Sequence, residues 1–194
     1  MKYSMARSYK LGRRSEQQAE TRRRIVEAAV ELHSTVGPAR TTVSDIAERA
    51  GVQRHTVYAH FPDEQALFAA CSGLANERDP LPDAAPWRVI ADKREQVATA
   101  LTDIYAWYRR NAGLAANVFR DSEAHEMTRR TAEQTFGPTI ATYHEVLGTG
   151  LDRRGRAMLA LAVDFHTWRT LTTEGGLSNK AAAEAMAEAI SSGD

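Results

Sequence analysis

The 194-residue chain is 43% hydrophobic and 26% charged, the proportions of an ordinary globular protein with enough length to bury a sizeable core. No run approaches the ~18 consecutive apolar residues of a membrane span, the basic N-terminus lacks the apolar stretch of a secretory leader, and a single cysteine, Cys71, excludes an internal disulfide framework. The formal net charge of zero hides an asymmetry: residues 1–60 carry 11 Lys and Arg against 6 Asp and Glu, and residues 61–194 carry 14 against 19. A basic front on an acidic remainder is the charge pattern of a nucleic-acid-binding head on a solvated body. The lone thiol suits a reducing, cytoplasmic setting and reads as a small core residue rather than a redox sensor.

Residues 1–15 hold five basic side chains (Lys2, Arg7, Lys10, Arg13, Arg14) and no acid, and read as a mobile basic arm. From about Glu16 the pattern becomes helical: Ile25, Ala28, Ala29 and Leu32 recur at spacings of three and four, on a helix predicted to end near Gly37-Pro38. Arg22, Arg23 and Arg24 precede that stripe as a charge run, either a solvated helix face or a phosphate-facing one. Next, Thr42 stands at an N-cap position with Asp45 placed to answer it in a capping box. Val43, Ile46, Ala47 and Ala50 then stripe a short helix, and Gly51 supplies a left-handed C-terminal residue. A second short helix follows over about 54–60, with Val57 and Phe61 pointing inward. Two short helices about a tight turn are the helix-turn-helix pattern.

A further helix is predicted over 64–77, and the three prolines of 79–86 read as a linker. Ile90, Val97, Leu101, Ile104 and Tyr108 stripe a helix over about 87–110, broken by Asn111-Ala112-Gly113. Residues 114–120 and 122–147 read as helices, the latter open to interruption at Gly137-Pro138. Met158, Leu161, Phe165, Trp168 and Thr172 stripe one over about 156–173, and Ser178 caps a last, alanine-rich helix through Ile190. No segment alternates with period two, so the fold class is all-α. The expected organisation is an arm (1–15), a helix-turn-helix domain (16–63), a connecting helix (64–78) and a larger helical domain (79–194).

Residues 22–68 resemble the DNA-binding domain of the tetracycline-repressor (TetR) family. The likeness is carried by the helix from Ile25 to Leu32, Gly37, Thr41-Thr42-Val43, Asp45-Ile46-Ala47, Ala50-Gly51-Val52, Thr56-Val57-Tyr58, His60-Phe61 and Leu67. In a helix-turn-helix the second helix enters the major groove and its first residues meet base edges. Arg54 is suited to guanine, Gln53 to adenine, His55 to either a donor or an acceptor, and the Thr56 methyl to a thymine methyl. The family pattern implies phosphate contacts for Thr42, Tyr58 and His60, each with a structural alternative: a helix cap, a packing residue and a surface histidine. Two larger polar residues depart from the family: Gln53 stands where serine is usual, and His55 where a small residue is common. Glu64 occupies a position often held by a phosphate-binding lysine, which should weaken the backbone grip.

The resemblance implies only architecture for residues 80–194. The last two long helices, about 156–173 and 178–191, are expected to pair with a second copy, with Ala181, Ala185, Ala189, Met186 and Ile190 on the contact face. A small apolar or aromatic ligand is expected between the middle helices, where Tyr105, Trp107, Tyr108, Phe119, Met127, Tyr143, Phe165 and Trp168 are the large side chains and His125, His144 and His166 the polar candidates. Each ring has ordinary core as its alternative. The local group Asp121, Glu123, His125 and Glu126 lacks metal-ligand spacing, so no metal and no cofactor is expected. With no phosphate loop, nucleophile elbow or catalytic grouping, the chain does not read as an enzyme. The expected function is a homodimeric regulator of double-stranded operator DNA, most simply a ligand-released repressor. The alternative is one governed by concentration or a protein partner.

Overall fold

The computed structural model describes residues 2–191, and the side chains of residues 12–191. Every regular element among them is helical. The head comprises α1 (Lys2–Thr35), α2 (Val43–Ala50), α3 (Arg54–His60) and α4 (Glu64–Arg78), with a 3-10 turn at Pro38–Arg40. The body comprises α5 (Lys93–Arg110), α6 (Ala112–Ser122), α7 (Glu126–Gly148), α8 (Arg153–Ala162), α9 (Phe165–Arg169) and α10 (Asn179–Ser191). A 3-10 turn at Ala85–Val89 precedes α5, and a π-helical turn at Thr170–Glu174 follows α9. No helix among the described residues is long and apolar enough to cross a membrane.

Two separate cores form. Ile25, Ala29, Ile46, Val57, Phe61, Leu67 and Cys71 close the head, so the helix expected to act only as a connector, α4, gives its first half to the head core. Burial pushes the Cys71 thiol up to about 12, which keeps it protonated and fits a packing role. The body core gathers on α5, where Val97, Leu101, Ile104, Tyr105 and Tyr108 meet Tyr143 and Leu147 of α7, Leu159 of α8, and Ala182, Ala183, Met186 and Ile190 of α10.

α1 begins at Lys2, well before the start near residue 16 that its apolar stripe suggests. The side chains of Lys2, Arg7 and Lys10 lie outside the described residues, and Arg13 and Arg14 are exposed. Arg23 bridges Glu20 and Glu27 along the helix, pairs at i,i+3 and i,i+4 that favour helix without a core partner.

The predicted helix over 87–110 starts later, at Lys93, and Ile90 falls outside it. Trp87 instead sits in the 3-10 turn, its indole N–H donating to Asp103 Oδ2 and its carbonyl accepting from Gln96 Nε2, both at 2.9 Å. Asp92 then caps α5 through the Glu95 N–H. α7 runs unbroken through Pro138, against the interruption considered there.

The predicted helix over 156–173 is divided. At the break the hydroxyls of Tyr105 and Tyr108 donate to the Ala162 and Val163 carbonyls, at 2.8 and 2.6 Å. Asp164 restarts the chain as α9, its Oδ1 accepting from the His166 and Thr167 N–H groups. Buried tyrosine hydroxyls thus satisfy carbonyls that a continuous helix would have satisfied itself. The expected contact face of the last helix is also corrected: Met186 and Ile190 are buried in the chain's own core, while Ala181, Ala185 and Ala189 lie on the outward side.

Candidate nucleic-acid interface and the cavities behind it

The turn that aims α3 rests on Gly51, whose φ of 64° and ψ of 41° place it in the left-handed region, with its N–H bonded back to α2. Thr42 and Asp45 form the capping box in full: Thr42 Oγ1 accepts from the Asp45 N–H at 3.2 Å, and Asp45 Oδ2 accepts from the Thr42 N–H at 2.8 Å. The Thr42 hydroxyl also donates to Asp45 Oδ2 at 2.7 Å, so its one proton is engaged inside the head. These bonds hold the Asp45 carboxyl below the usual carboxylate range.

Gln53 is the N-cap of α3, in extended conformation and with no capping bond from its side chain, which is exposed. Arg54, His55 and Tyr58 are exposed on the same helix, while Val57 points into the core. Thr56 and His60 are half-buried on its flanks. The Arg54 guanidinium lies 5.8 Å from the Tyr58 ring centroid and donates to the Tyr58 hydroxyl at 3.4 Å. Tyr58, at 45% exposed, therefore stands beside the leading arginine instead of packing in the core.

The arginine run is engaged within the chain. Arg22 lies over the Phe61 ring at 4.8 Å, Arg23 bridges its two glutamates, and Arg24 donates to the Ala50 and Gly51 carbonyls that end α2. Arg49 pairs with Glu31. Glu64 is the first residue of α4 behind the N-cap Asp63, whose Oδ1 accepts the Ala66 N–H, so this acid sits where the helix dipole favours it.

Head and body meet along α1 and α6. Asn117 donates to the carbonyls of His33 and Ser34, Arg120 to that of Val36, and Asp121 accepts from the Ala39 N–H. These are the orphan groups at the end of α1 and in the turn after it. Gly37, with φ 105°, makes the approach feasible: a Cβ there would collide with the Arg120 guanidinium and the Asp121 carboxylate. Asp121 thus joins this contact instead of a metal group, and among the described residues no cluster of three His, Cys, Asp or Glu is set to hold a metal. On the α4 side, Asp79 accepts from Arg110 and Asn111, and its carbonyl from the Trp107 indole.

Two cavities lie near this contact. One, of about 50 Å³, is bounded by α1, α4, α6 and α7, with His33, Phe68, Cys71 and Thr128 on its wall. The other, about 210 Å³, is lined by Trp107, Tyr108, Phe119, Phe136 and Phe165, with His144 and Asp164 at its polar positions. Of the eight large side chains expected around a ligand, Trp107, Tyr108, Phe119 and Phe165 therefore converge, while Tyr105 is core with its hydroxyl on the Ala162 carbonyl. Met127 lines a separate groove beside His125 and Arg130. Tyr143 and Trp168 are core, with hydroxyl and indole committed to the Pro82 carbonyl and Asn179 Oδ1. His125 caps α7, with its ring 6.0 Å from Phe68, and His166 is exposed on α9. Phe136 was missed because Gly137-Pro138 beside it suggested an interruption; its spacing of four to Ile140 was the available signal. Asp164 was missed because a continuous stripe ran through it.

Residues 25–71 match the family model described as bacterial regulatory proteins, tetR family. The HTH-type transcriptional regulator TtgR of Pseudomonas putida is 47% identical over 58 residues, 30% of this chain and 28% of TtgR, so the match spans less than a third of that relative. The nucleoid occlusion factor SlmA of Marinobacter nauticus is 28% identical over 158 residues, 77% of this chain and 79% of SlmA. The crystal structure of the transcriptional regulator FadR from Bacillus subtilis, in complex with stearoyl-CoA, superposes with a TM-score of 0.61 at 21% identity, covering 88% of this chain and 98% of that one. The last shows the fold.

Proposed function

We propose that the chain, whose residues 25–71 match the tetR-family model, is a cytoplasmic, homodimeric transcriptional regulator of that family. It binds double-stranded operator DNA through α3 and is a repressor released by a small ligand in the body. The observation that carries this reading is the outward face of α3. Gln53, Arg54, His55 and Tyr58 are exposed together at its leading end, on a helix held by Val57 and aimed by the Gly51 turn.

On this reading Arg54 donates its fork to a guanine edge, steadied by Tyr58, and Gln53 reads an adenine. His55 faces the groove beside them. Half-buried Thr56 and His60 contact the flanking strand, and Tyr58 reaches a phosphate with its hydroxyl. Thr42 gains a phosphate contact only by turning its proton away from Asp45. Because Arg22, Arg23, Arg24 and Arg49 are internally engaged and Glu64 is acidic, affinity leans on base contacts more than on a broad cationic grip.

Dimerisation through α8 and α10 is supported by their outward sides. Leu161 is 53% exposed on α8, and Ala181, Ala185 and Ala189 leave α10 open to close helix approach. A two-fold pair would set two α3 helices on successive major grooves, about 34–36 Å apart. Selection of bound duplexes from random DNA tests the reading: a two-fold sequence is expected, and no binding even at low salt would reject it.

A second reading is a DNA-binding protein of this architecture governed by concentration or a protein partner; what favours it is that the likeness to SlmA, a protein named for nucleoid occlusion, extends through the body. An operator complex that no body-bound ligand dissociates is its signature.

A further inference from the structure

Five aromatic side chains around the larger cavity form a closed circuit. Trp107 meets Tyr108 at 5.8 Å between ring centroids, Tyr108 meets Phe165 at 5.4 Å, and Phe165 meets Phe119 at 5.5 Å. Phe119 then meets Phe136 at 6.3 Å, and Phe136 returns to Trp107 at 5.9 Å. All five line the same space of about 210 Å³, room for roughly seven waters at ~30 Å³ each. The rings come from α5, α6, α7 and α9, so the enclosure is a product of the whole body fold.

The charge around this circuit has one sign. Asp164 is the acid among the lining residues, and no lysine or arginine lines the space. Its Oδ1 is fixed by the His166 and Thr167 N–H groups at 2.8 and 3.0 Å, while among the described residues Oδ2 has no hydrogen-bond partner. Burial is the chief cause that pushes the Tyr108 hydroxyl well above its ordinary range, and the nearby Asp164 charge adds to it. Aromatic faces are themselves electronegative and attract cations, and Asp164 adds its charge from an exposed position at the edge of the cavity.

We propose that this circuit is a cage for a small organic cation, a substituted ammonium of about choline size, seated among the rings with Asp164 as its counter-charge. His144, on the polar side, is placed to hydrogen-bond a hydroxyl on the same ligand. A small substituted ammonium is compact enough for the space and satisfies ring faces and carboxylate together; a neutral hydrocarbon satisfies only the rings, and an anion is repelled by both. The proposal deepens the ligand-responsive reading and rests on it.

Titration calorimetry of the full chain at pH 8 with choline and with its uncharged carbon analogue, 3,3-dimethylbutan-1-ol, tests it. Choline is expected to bind about tenfold more tightly than the analogue. Asp164→Asn keeps an N-capping side chain for α9 while removing the charge, and Phe119→Leu removes one ring. Each should weaken choline about three- to tenfold and leave the analogue within about twofold, with thermal melting confirming that both variants fold. Equal affinities, tighter binding of the analogue, or no binding of either by the wild type overturns the cage. Operator binding is measured on the same samples. Choline that binds without releasing DNA leaves the cage standing and rejects the ligand switch, whereas loss of the cage alone leaves the DNA-binding reading intact.

Discussion

Asp121 Oδ2 accepts a hydrogen bond from the backbone N–H of Ala39 at 2.9 Å, tying α6 to the turn that follows α1. Asp121 is 6% exposed, so its removal would leave a partly buried N–H without a partner. Asp121→Ala is expected to destabilise the protein by about 1–3 kcal/mol. Urea unfolding with an unchanged slope and a lower midpoint would show it.

His33, near the end of α1, faces Phe68 with ring centroids 5.2 Å apart. Burial pushes its imidazole from 6.5 down to about 4, with the Asp121 charge opposing in part. The folded state therefore binds this proton later than the unfolded chain does. The His33 contribution to stability is fully present above pH 6.5 and is lost as the pH falls toward about 4. The loss amounts to roughly 3 kcal/mol at most. His33→Gln should flatten the stability curve across that window, followed by denaturant midpoints at successive pH values.

Thr42 offers a means of separating a cap from a phosphate contact. Thr42→Val removes the hydroxyl that accepts the Asp45 N–H and should cost about 1 kcal/mol of stability. Thr42→Ser should restore it. If Thr42 also serves DNA, the valine variant loses affinity under conditions where it remains fully folded, measured by fluorescence anisotropy of a labelled operator.

Arg54 and Tyr58 touch each other, so their effects on DNA should not be independent. Arg54→Ala is expected to relax preference at one operator position, by about 1–3 kcal/mol. Tyr58→Phe should weaken all sequences more evenly and slightly broaden the Arg54 preference. Competition against single-base operator variants checks both; equal loss on specific and random duplexes would make Arg54 a phosphate contact.

Leu161 is an exposed leucine on a helix whose other large apolar residues turn inward. Leu161→Glu should convert the proposed two-chain assembly into 21.4 kDa monomers without altering the helical signal, read by light scattering with circular dichroism; a wild type that is already monomeric would reject the assembly.

Local rules made the head legible in the sequence. The capping box of Thr42 and Asp45, the left-handed Gly51 and the inward Val57 each depend on residues within a few positions, and each is found as expected. The body was legible only as helices. The break at Val163 depends on hydroxyls of Tyr105 and Tyr108, more than 50 residues away, and no periodicity within 156–173 announces it. For the same reason Asp164 and Phe136 joined the cavity unannounced, while Tyr143 and Trp168 left it for bonds to Pro82 and Asn179. Aromatic identity alone does not distinguish a wall from a core.

The dependence of the body on distant partners also has a consequence in time. The head core closes within residues 25–71, whereas the body core draws on residues 84–190, and Asn179 must reach back to the Tyr105 carbonyl. On a ribosome adding about 5–20 residues per second, α10 follows the end of the head core by an interval on the order of ten seconds. For the later part of that interval, once Arg110 has been added, α5 is complete while its tyrosines lack their partners and its apolar face is uncovered. The nascent chain is thus a folded head trailing a sticky, unfinished helix, and the stretch of synthesis between α5 and α10 is when this protein is most exposed to chaperones and to aggregation.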